Sequence, residues 1–141
     1  MIFKFLRDYR RRGLLKEPFP DEWLEIIDDN LAFVAELPDE EVPGFLDQLK
    51  VFVNDKEWVP AGGLEEVSLE MRVIVSACAA RLVRRLPLDA YDRLTEIVIY
   101  PASFSLGKED EREILGLAHQ WGTVVLAWDA VRRGIATPND G

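Results

Sequence analysis

The fold of this 141-residue chain is decided by residues 68–86, SLEMRVIVSACAARLVRRL. Residues 73–80 in the middle of this stretch are apolar or small on every side of a helical wheel. A helix that is apolar all round is normally covered all round, so the stretch predicts a buried central helix. Ser68 is a suitable N-cap, and Pro87 ends the helix. We therefore expect the rest of the chain to pack around this helix.

The segment before the central helix predicts an all-α arrangement. Apolar residues recur at three- and four-residue spacing in residues 3–12, 21–37 and 39–54. The first of these helices ends at Gly13, and its apolar contribution comes from Phe3, Phe5, Leu6 and Tyr9. Residues 57–60, EWVP, are expected to be only a short extended piece before a turn.

The pattern changes after residue 90, where three runs predict strands. These runs are TEIVIY at 95–100, EILGLA at 113–118 and TVVLAW at 123–128. The spacing of the last two predicts a hairpin through residues 119–122. The fold class is therefore α+β: an N-terminal helical part around a central buried helix, followed by a small, mostly antiparallel sheet of about three strands. Residues 1–141 are expected to form one domain, helical over 1–90 and stranded over 95–129.

Charge is unevenly distributed along the chain, whose net charge is −9. Residues 1–16 carry six basic residues and one acidic residue, whereas residues 17–70 carry sixteen acidic and two basic residues. The basic stretch could be an arm for nucleic acid or a membrane, or it could lie on the acidic middle of the same molecule. The overall acidity favours the second interpretation and argues against direct nucleic-acid binding.

The sequence contains few residues of the types that carry out catalysis. The chain has a single histidine, His119, and a single cysteine, Cys78. His119 could be a catalytic base, but a loop histidine is favoured because no nucleophile or orienting partner is visible. Cys78 is expected to be a buried, unreactive thiol among alanines. The acidic run at 109–113 could hold a metal, although a solvated loop is the favoured interpretation.

The sequence indicates a soluble protein of the cytoplasm. It has no apolar run of about 18–20 residues, the length that spans a bilayer. It also lacks a secretory signal and cannot form an internal disulfide. We therefore expect no membrane partner.

Four motifs occur in order along nearly the whole chain. They are RRxLLxxPFPxxW at 11–23, GL at 63–64 followed by EMRV at 70–73, IVIYPxxF at 97–104, and GxAxxxGxVVLxWD at 116–129. In these motifs the sequence resembles the N-terminal portion of the MtfA-like zinc-dependent peptidases. That family is named for a protein that titrates the glucose-responsive repressor Mlc.

The resemblance implies a zinc cofactor, a peptide substrate and a transcriptional repressor as partner of the complete protein. It also implies that the zinc motif, His-Glu-x-x-His, follows the strand at 123–128 and is absent from this chain. No catalytic residue and no metal ligand is therefore assigned within residues 1–141, and no zinc is expected to bind there. The abrupt Asn-Asp-Gly end at 139–141 favours a truncated chain over a naturally short one.

Two functional hypotheses follow. The chain is either the N-terminal scaffold of a cytoplasmic zinc metallopeptidase, inactive as written, or a stand-alone protein-binding module that contacts a transcriptional regulator. In the first case the strand before the metal helix would hold an extended substrate, unless it is simply interior. The residues assigned to this substrate edge are Gly122, Thr123, Val124, Val125, Leu126, Ala127 and Trp128. Self-association through a sheet face that has lost its cover, which would leave Val124, Leu126 and Trp128 partly exposed, is a further expectation.

Overall fold

A computed structural model describes residues 2–102 and 122–136, with side chains from residue 5 onward. The helices and strands within these ranges are, in chain order, α1 (Ile2–Lys16), α2 (Asp21–Asn30), α3 (Val42–Asp55), β1 (Glu57–Pro60), α4 (Leu69–Val83), β2 (Glu96–Tyr100), β3 (Thr123–Ala127) and α5 (Trp128–Ala136). Two short 3-10 helices, Ala32–Glu36 and Asp39–Glu41, connect α2 to α3.

The central helix α4 is confirmed. Its N-terminus is capped by Ser68, whose Oγ accepts a hydrogen bond from the Met71 N–H at 3.2 Å. One side of α4, including Val73 and Ile74, packs against buried residues of α2 and α3. Val75 instead belongs to a buried cluster that includes Ile97 and Ile99 of the sheet. The helix therefore lies between the other helices and the sheet, which explains its all-round apolar surface.

One stripe of α3 fixes the C-terminal end of α4. Gly44 and Gln48 lie four residues apart on one side of α3, and Glu41, the residue just before α3, lies three residues before Gly44. Gln48 Nε2 donates to the carbonyl oxygens of Val83, Leu86 and Pro87 at 2.9–3.1 Å. Carbonyl groups at and just beyond a helix end lack intrahelical partners, and Gln48 supplies a donor to them, in addition to the Leu86 N–H that the Val83 carbonyl accepts at 2.9 Å.

The sequence predicted a mostly antiparallel sheet, and this prediction is wrong. The described strands are all parallel, in the order β1–β2–β3. The prediction treated residues 57–60 as an isolated extended piece, whereas they form β1 and pair with β2. Helix α4 makes the crossover from β1 to β2, and a long crossover of this kind joins parallel strands. The proposed hairpin partner at 113–118 lies outside the described residues.

The N-terminal helix α1 also differs from the prediction. It continues through Gly13 to Lys16, and its described apolar residues Phe5, Leu6 and Tyr9 are exposed. The side that faces the protein carries Arg11, which is only 5 % exposed. Periodicity identified the helix but not its orientation, because ion pairs decide which side is inward.

No helix in the two described ranges combines the length and the apolar character required to cross a membrane.

Candidate functional site

The seven residues assigned to the substrate edge form one continuous segment. Gly122 is in a turn, residues 123–127 are strand β3, and Trp128 is already the first residue of α5. The strand is therefore one residue shorter than predicted. Trp128 packs between the helical and sheet clusters of the core, so it anchors α5 rather than extending the strand.

Within the described residues, β3 is an edge strand. Its neighbour is β2, with Thr123 beside Glu96 and Val125 beside Val98. The Gly122 carbonyl accepts from the Thr95 N–H at 2.8 Å and from the Glu96 N–H at 3.2 Å. No other strand of the described chain pairs with β3.

The register determines which backbone groups of β3 face outward. Successive residues of a strand direct their N–H and C=O groups to opposite sides. Because the Gly122 carbonyl points to β2, Val124 and Leu126 also direct their backbone groups to β2. Thr123, Val125 and Ala127 direct theirs away from the sheet.

The side chains of β3 are packed on both faces. Val124 and Leu126 contact the cluster that contains Ile97 and Ile99, on the side of α4. Val125 is 7 % exposed and packs on the opposite face with Val98 and Tyr100. Val124, Leu126 and Trp128 are only partly buried, and they pack against the core rather than on a separate face, so self-association through them stays a prediction.

Gly122 lies in close contact with another part of the backbone. Its φ is +80°, and a Cβ there would come within 2.7 Å of the Arg93 carbonyl oxygen. The close approach is thus made by the chain's own backbone, in the segment that leads into β2. A cavity of about 460 Å³ adjoins this point and is lined by residues 89–94, Gly122 and Val124.

The opposite edge of the described sheet is blocked by a proline. The Glu57 N–H donates to the Thr95 carbonyl and the Ala61 N–H to the Ile99 carbonyl, each at 2.9 Å. By the same alternation, residue 60 faces away from β2, and it is Pro60, which has no N–H to offer. Proline on an outward position is a common way of preventing strand addition.

The other candidate groups do not join this edge. Cys78 is half-buried in α4, where burial raises the pKa of its thiol despite the nearby Arg81. His119 and the acidic run at 109–113 lie outside the described residues. Among the residues that are described, no group of three or more His, Cys, Asp and Glu side chains is placed to hold a metal ion.

The most extensive charged contact was only partly anticipated. Arg11 donates to Asp55 Oδ2 at 2.6 and 2.8 Å and to Asp92 Oδ1 at 2.8 Å, and Arg7 pairs with Asp92 at 2.9 Å. Burial lowers the pKa of Arg11, but the hydrogen bonds to Asp92 and Asp55 outweigh it, so the pKa is raised. The contact with Asp55 confirms the prediction that the basic N-terminal stretch lies on the acidic residues of 17–70. Asp92 lies outside that range.

A buried lysine beside this network carried no signal in the sequence. Lys56 Nζ donates to the Tyr91 carbonyl at 2.6 Å and lies 5.6 Å from the centre of the Phe52 ring. Burial lowers the pKa of Lys56. Its position immediately before β1 fixes the segment that lines the cavity, which indicates a structural role.

Comparison with known proteins identifies the class. Residues 6–141 match the model of a family of metallopeptidases. That family is the glucose-regulated metallopeptidase family M90, and the chain belongs to it. The resemblance to the MtfA-like peptidases is thereby confirmed.

A relative matches most of the chain without adding a function. The uncharacterized protein slr2042 of Synechocystis sp. is 25% identical over 147 residues, which cover 95% of this chain and 52% of that protein. The chain thus spans about half the length of this relative. The described residues do not themselves form the metal centre that the family name implies.

Proposed function

We propose that residues 1–141 are the scaffold part of a cytoplasmic zinc-dependent metallopeptidase that hydrolyses peptide bonds with a metal-activated water. The family match over residues 6–141 carries this proposal. The chain aligns with only about half of slr2042, so a protein of that length has room for a separate metal-binding part. On this proposal residues 1–141 are inactive alone, and their contribution is to hold the sheet against which the substrate lies.

The proposed substrate site is the outer edge of β3. The N–H and C=O groups of Thr123, Val125 and Ala127 point away from β2, so an extended peptide can pair with them as an added strand. Backbone hydrogen bonds would supply affinity, and the side chains on either face would supply selectivity. Pro60 at the opposite edge favours β3 as the side on which a strand adds.

Metal analysis and activity measurements test the scaffold assignment. The gene from which the sequence comes is expressed both as its full product and as residues 1–141. We expect the full product to retain about one zinc ion per chain and to cleave an unstructured peptide, as a catalytic zinc site would. Residues 1–141 should do neither. Retained zinc or turnover in residues 1–141, or the lack of both in the full product, would contradict the proposal.

Proline substitutions test the edge. Val125→Pro removes an outward N–H, whereas Val124→Pro removes an N–H that belongs to the ladder with β2. Losing a ladder bond and leaving its acceptor unpaired costs about 1–3 kcal/mol. In residues 1–141, we therefore expect Val125→Pro to preserve the thermal transition better than Val124→Pro.

The full product then separates folding from substrate binding. Val125→Pro should retain zinc and lose peptide turnover, because one hydrogen bond to the added strand is missing and the ring obstructs the edge. If both prolines unfold the chain equally, β3 is paired on both sides. If Val125→Pro retains turnover, the substrate does not bind along this edge. The repressor partner and self-association remain predictions.

A further inference from the structure

Helix α1 turns Arg11 toward the protein and leaves three apolar residues exposed on its opposite side. A helix on a protein surface normally buries an apolar stripe and exposes its charges. In α1, Arg11 is 5 % exposed and holds Asp55 and Asp92. Phe5, Leu6 and Tyr9 are 62 %, 53 % and 67 % exposed.

The exposed apolar residues form one stripe. Phe5 and Tyr9 are four residues apart, so they lie on the same side of the helix, and Leu6 borders them. At 100° per residue, Arg10 lies at one margin of this stripe and Arg12 at the other, and both are exposed. The one acidic residue of α1, Asp8, is half-buried on the side nearer the protein.

This arrangement fits an anionic lipid surface. A helix that lies in a membrane interface presents aromatic and aliphatic residues to the acyl boundary, with basic residues beside them. Long basic side chains can reach the head groups from the margins of such a stripe, and each contributes about 1 kcal/mol near an anionic surface. We propose that α1 binds the protein reversibly to membranes that contain anionic lipids.

The charges argue against other occupants of this surface. A symmetric contact between two copies through α1 would bring Arg10 and Arg12 of each chain together. The rest of the chain is strongly acidic, with a net charge of −9 over all residues. The net charge of the body therefore opposes binding to an anionic membrane, whereas the basic margins of α1 favour it. The expected binding is weak, oriented and sensitive to salt.

Vesicle co-sedimentation of the 141-residue chain tests the proposal. One set of vesicles is an equimolar mixture of phosphatidylcholine and phosphatidylglycerol, and the other is phosphatidylcholine alone. We expect the partition coefficient to fall at least about tenfold without the anionic lipid, and also in high salt. The triple variant Phe5→Ala, Leu6→Ala and Tyr9→Ala should lose at least about tenfold on the anionic vesicles. The variant Arg10→Gln with Arg12→Gln should weaken the salt dependence.

A matched control distinguishes this stripe from exposed apolar residues in general. Leu82 and Leu86 are 71 % and 54 % exposed at the end of α4, so their replacement by alanine should leave vesicle binding unchanged. The proposal fails if the chain does not partition onto anionic vesicles, or if the triple variant partitions as well as the unaltered chain. It also fails if sedimentation without lipid shows oligomers that the triple variant abolishes, since the stripe would then be a protein contact.

Discussion

At the scale of single residues, two helical glycines differ in how much space surrounds them. A Cβ on Gly44 would lie 2.5 Å from the Arg84 carbonyl oxygen, so the backbones of α3 and of the segment after α4 touch there. A Cβ on Gly13, in α1, would have no atom within 4 Å. Only the first glycine is required by packing.

Alanine at these two positions should therefore change stability in opposite directions. Gly44→Ala forces two backbones apart, and overpacking of this kind costs about 1–3 kcal/mol. Gly13→Ala removes a poor helix former from an exposed position and should add up to about 1 kcal/mol. Urea unfolding of both variants measures the difference. A Gly44→Ala chain as stable as the unaltered one would show that the contact between α3 and residue 84 is not close.

At the scale of elements, Glu41 joins the start of α3 to the end of α4. Its carboxylate accepts hydrogen bonds from Arg85 at 2.7–3.1 Å and from Arg84 at 3.3 Å. The hydrogen bond from Arg85 is the main cause that holds the pKa of Glu41 below its ordinary value of 4.5, against the effect of burial. The contact therefore depends on the charge of the carboxylate.

The stability that Glu41 contributes should depend on pH. A carboxyl group with a lowered folded-state pKa stabilises the protein above its unfolded pKa, and this contribution is lost as pH falls through the folded pKa. Glu41→Gln should thus lower the free energy of unfolding at neutral pH, and the difference from the unaltered protein should shrink below pH 4.5. Exposed Glu40→Gln is the control, with an effect within about 0.5 kcal/mol. A difference that stays constant with pH would rule out the ionic contact.

At the scale of the whole molecule, α1 is attached to two distant parts of the chain by its arginines. Asp55 ends α3 and Asp92 lies in the segment before β2, so Arg11 connects three regions. Removing one side of a buried ion pair leaves the other charge without compensation, at a cost of about 3–5 kcal/mol. When both aspartates are replaced, the attachment of α1 should therefore fail before the rest of the fold does.

Limited trypsin digestion measures this attachment. The double variant Asp55→Asn and Asp92→Asn keeps every trypsin site, and we expect faster cleavage at residues 10–12 than in the unaltered chain. Residues from α2 onward should stay protected, because their core does not include these aspartates. Asp89→Asn, an exposed neighbour, controls for the change in charge. Equal cleavage rates in all three proteins would show that other contacts hold α1.

The sequence allowed the central helix to be predicted because its signal is local. Ser68 marks the start of α4, and the apolar residues that follow it on all sides predict burial. The strand character of β2 and β3 was also readable from their β-branched residues. The parallel direction of strand pairing could not be predicted from the sequence. It depends on recognising β1 as a strand, and four residues are too short a pattern to distinguish a strand from an extended loop. Once β1 is omitted, the crossover that makes the sheet parallel disappears.

The candidate site was located by resemblance, and its geometry was not predictable. The sequence around Gly122 does not show that the Arg93 carbonyl, from a residue 29 positions away along the chain, lies close to this glycine. In the same way, the apolar residues of α1 did not show which side of the helix faces the protein. Their exposure follows from Arg11 finding two carboxylates, a long-range pairing that periodicity does not contain.

The ionic attachment of α1 also determines how temperature acts on it. The heat-capacity change of unfolding arises mainly from apolar surface that becomes hydrated. Apart from the half-buried Leu14 and Leu15, the described apolar residues of α1 are already in water while the helix is attached. Release of α1 should therefore show little heat-capacity change and an almost linear van't Hoff plot. Cooling weakens the apolar packing around α4 but not this attachment to the same degree.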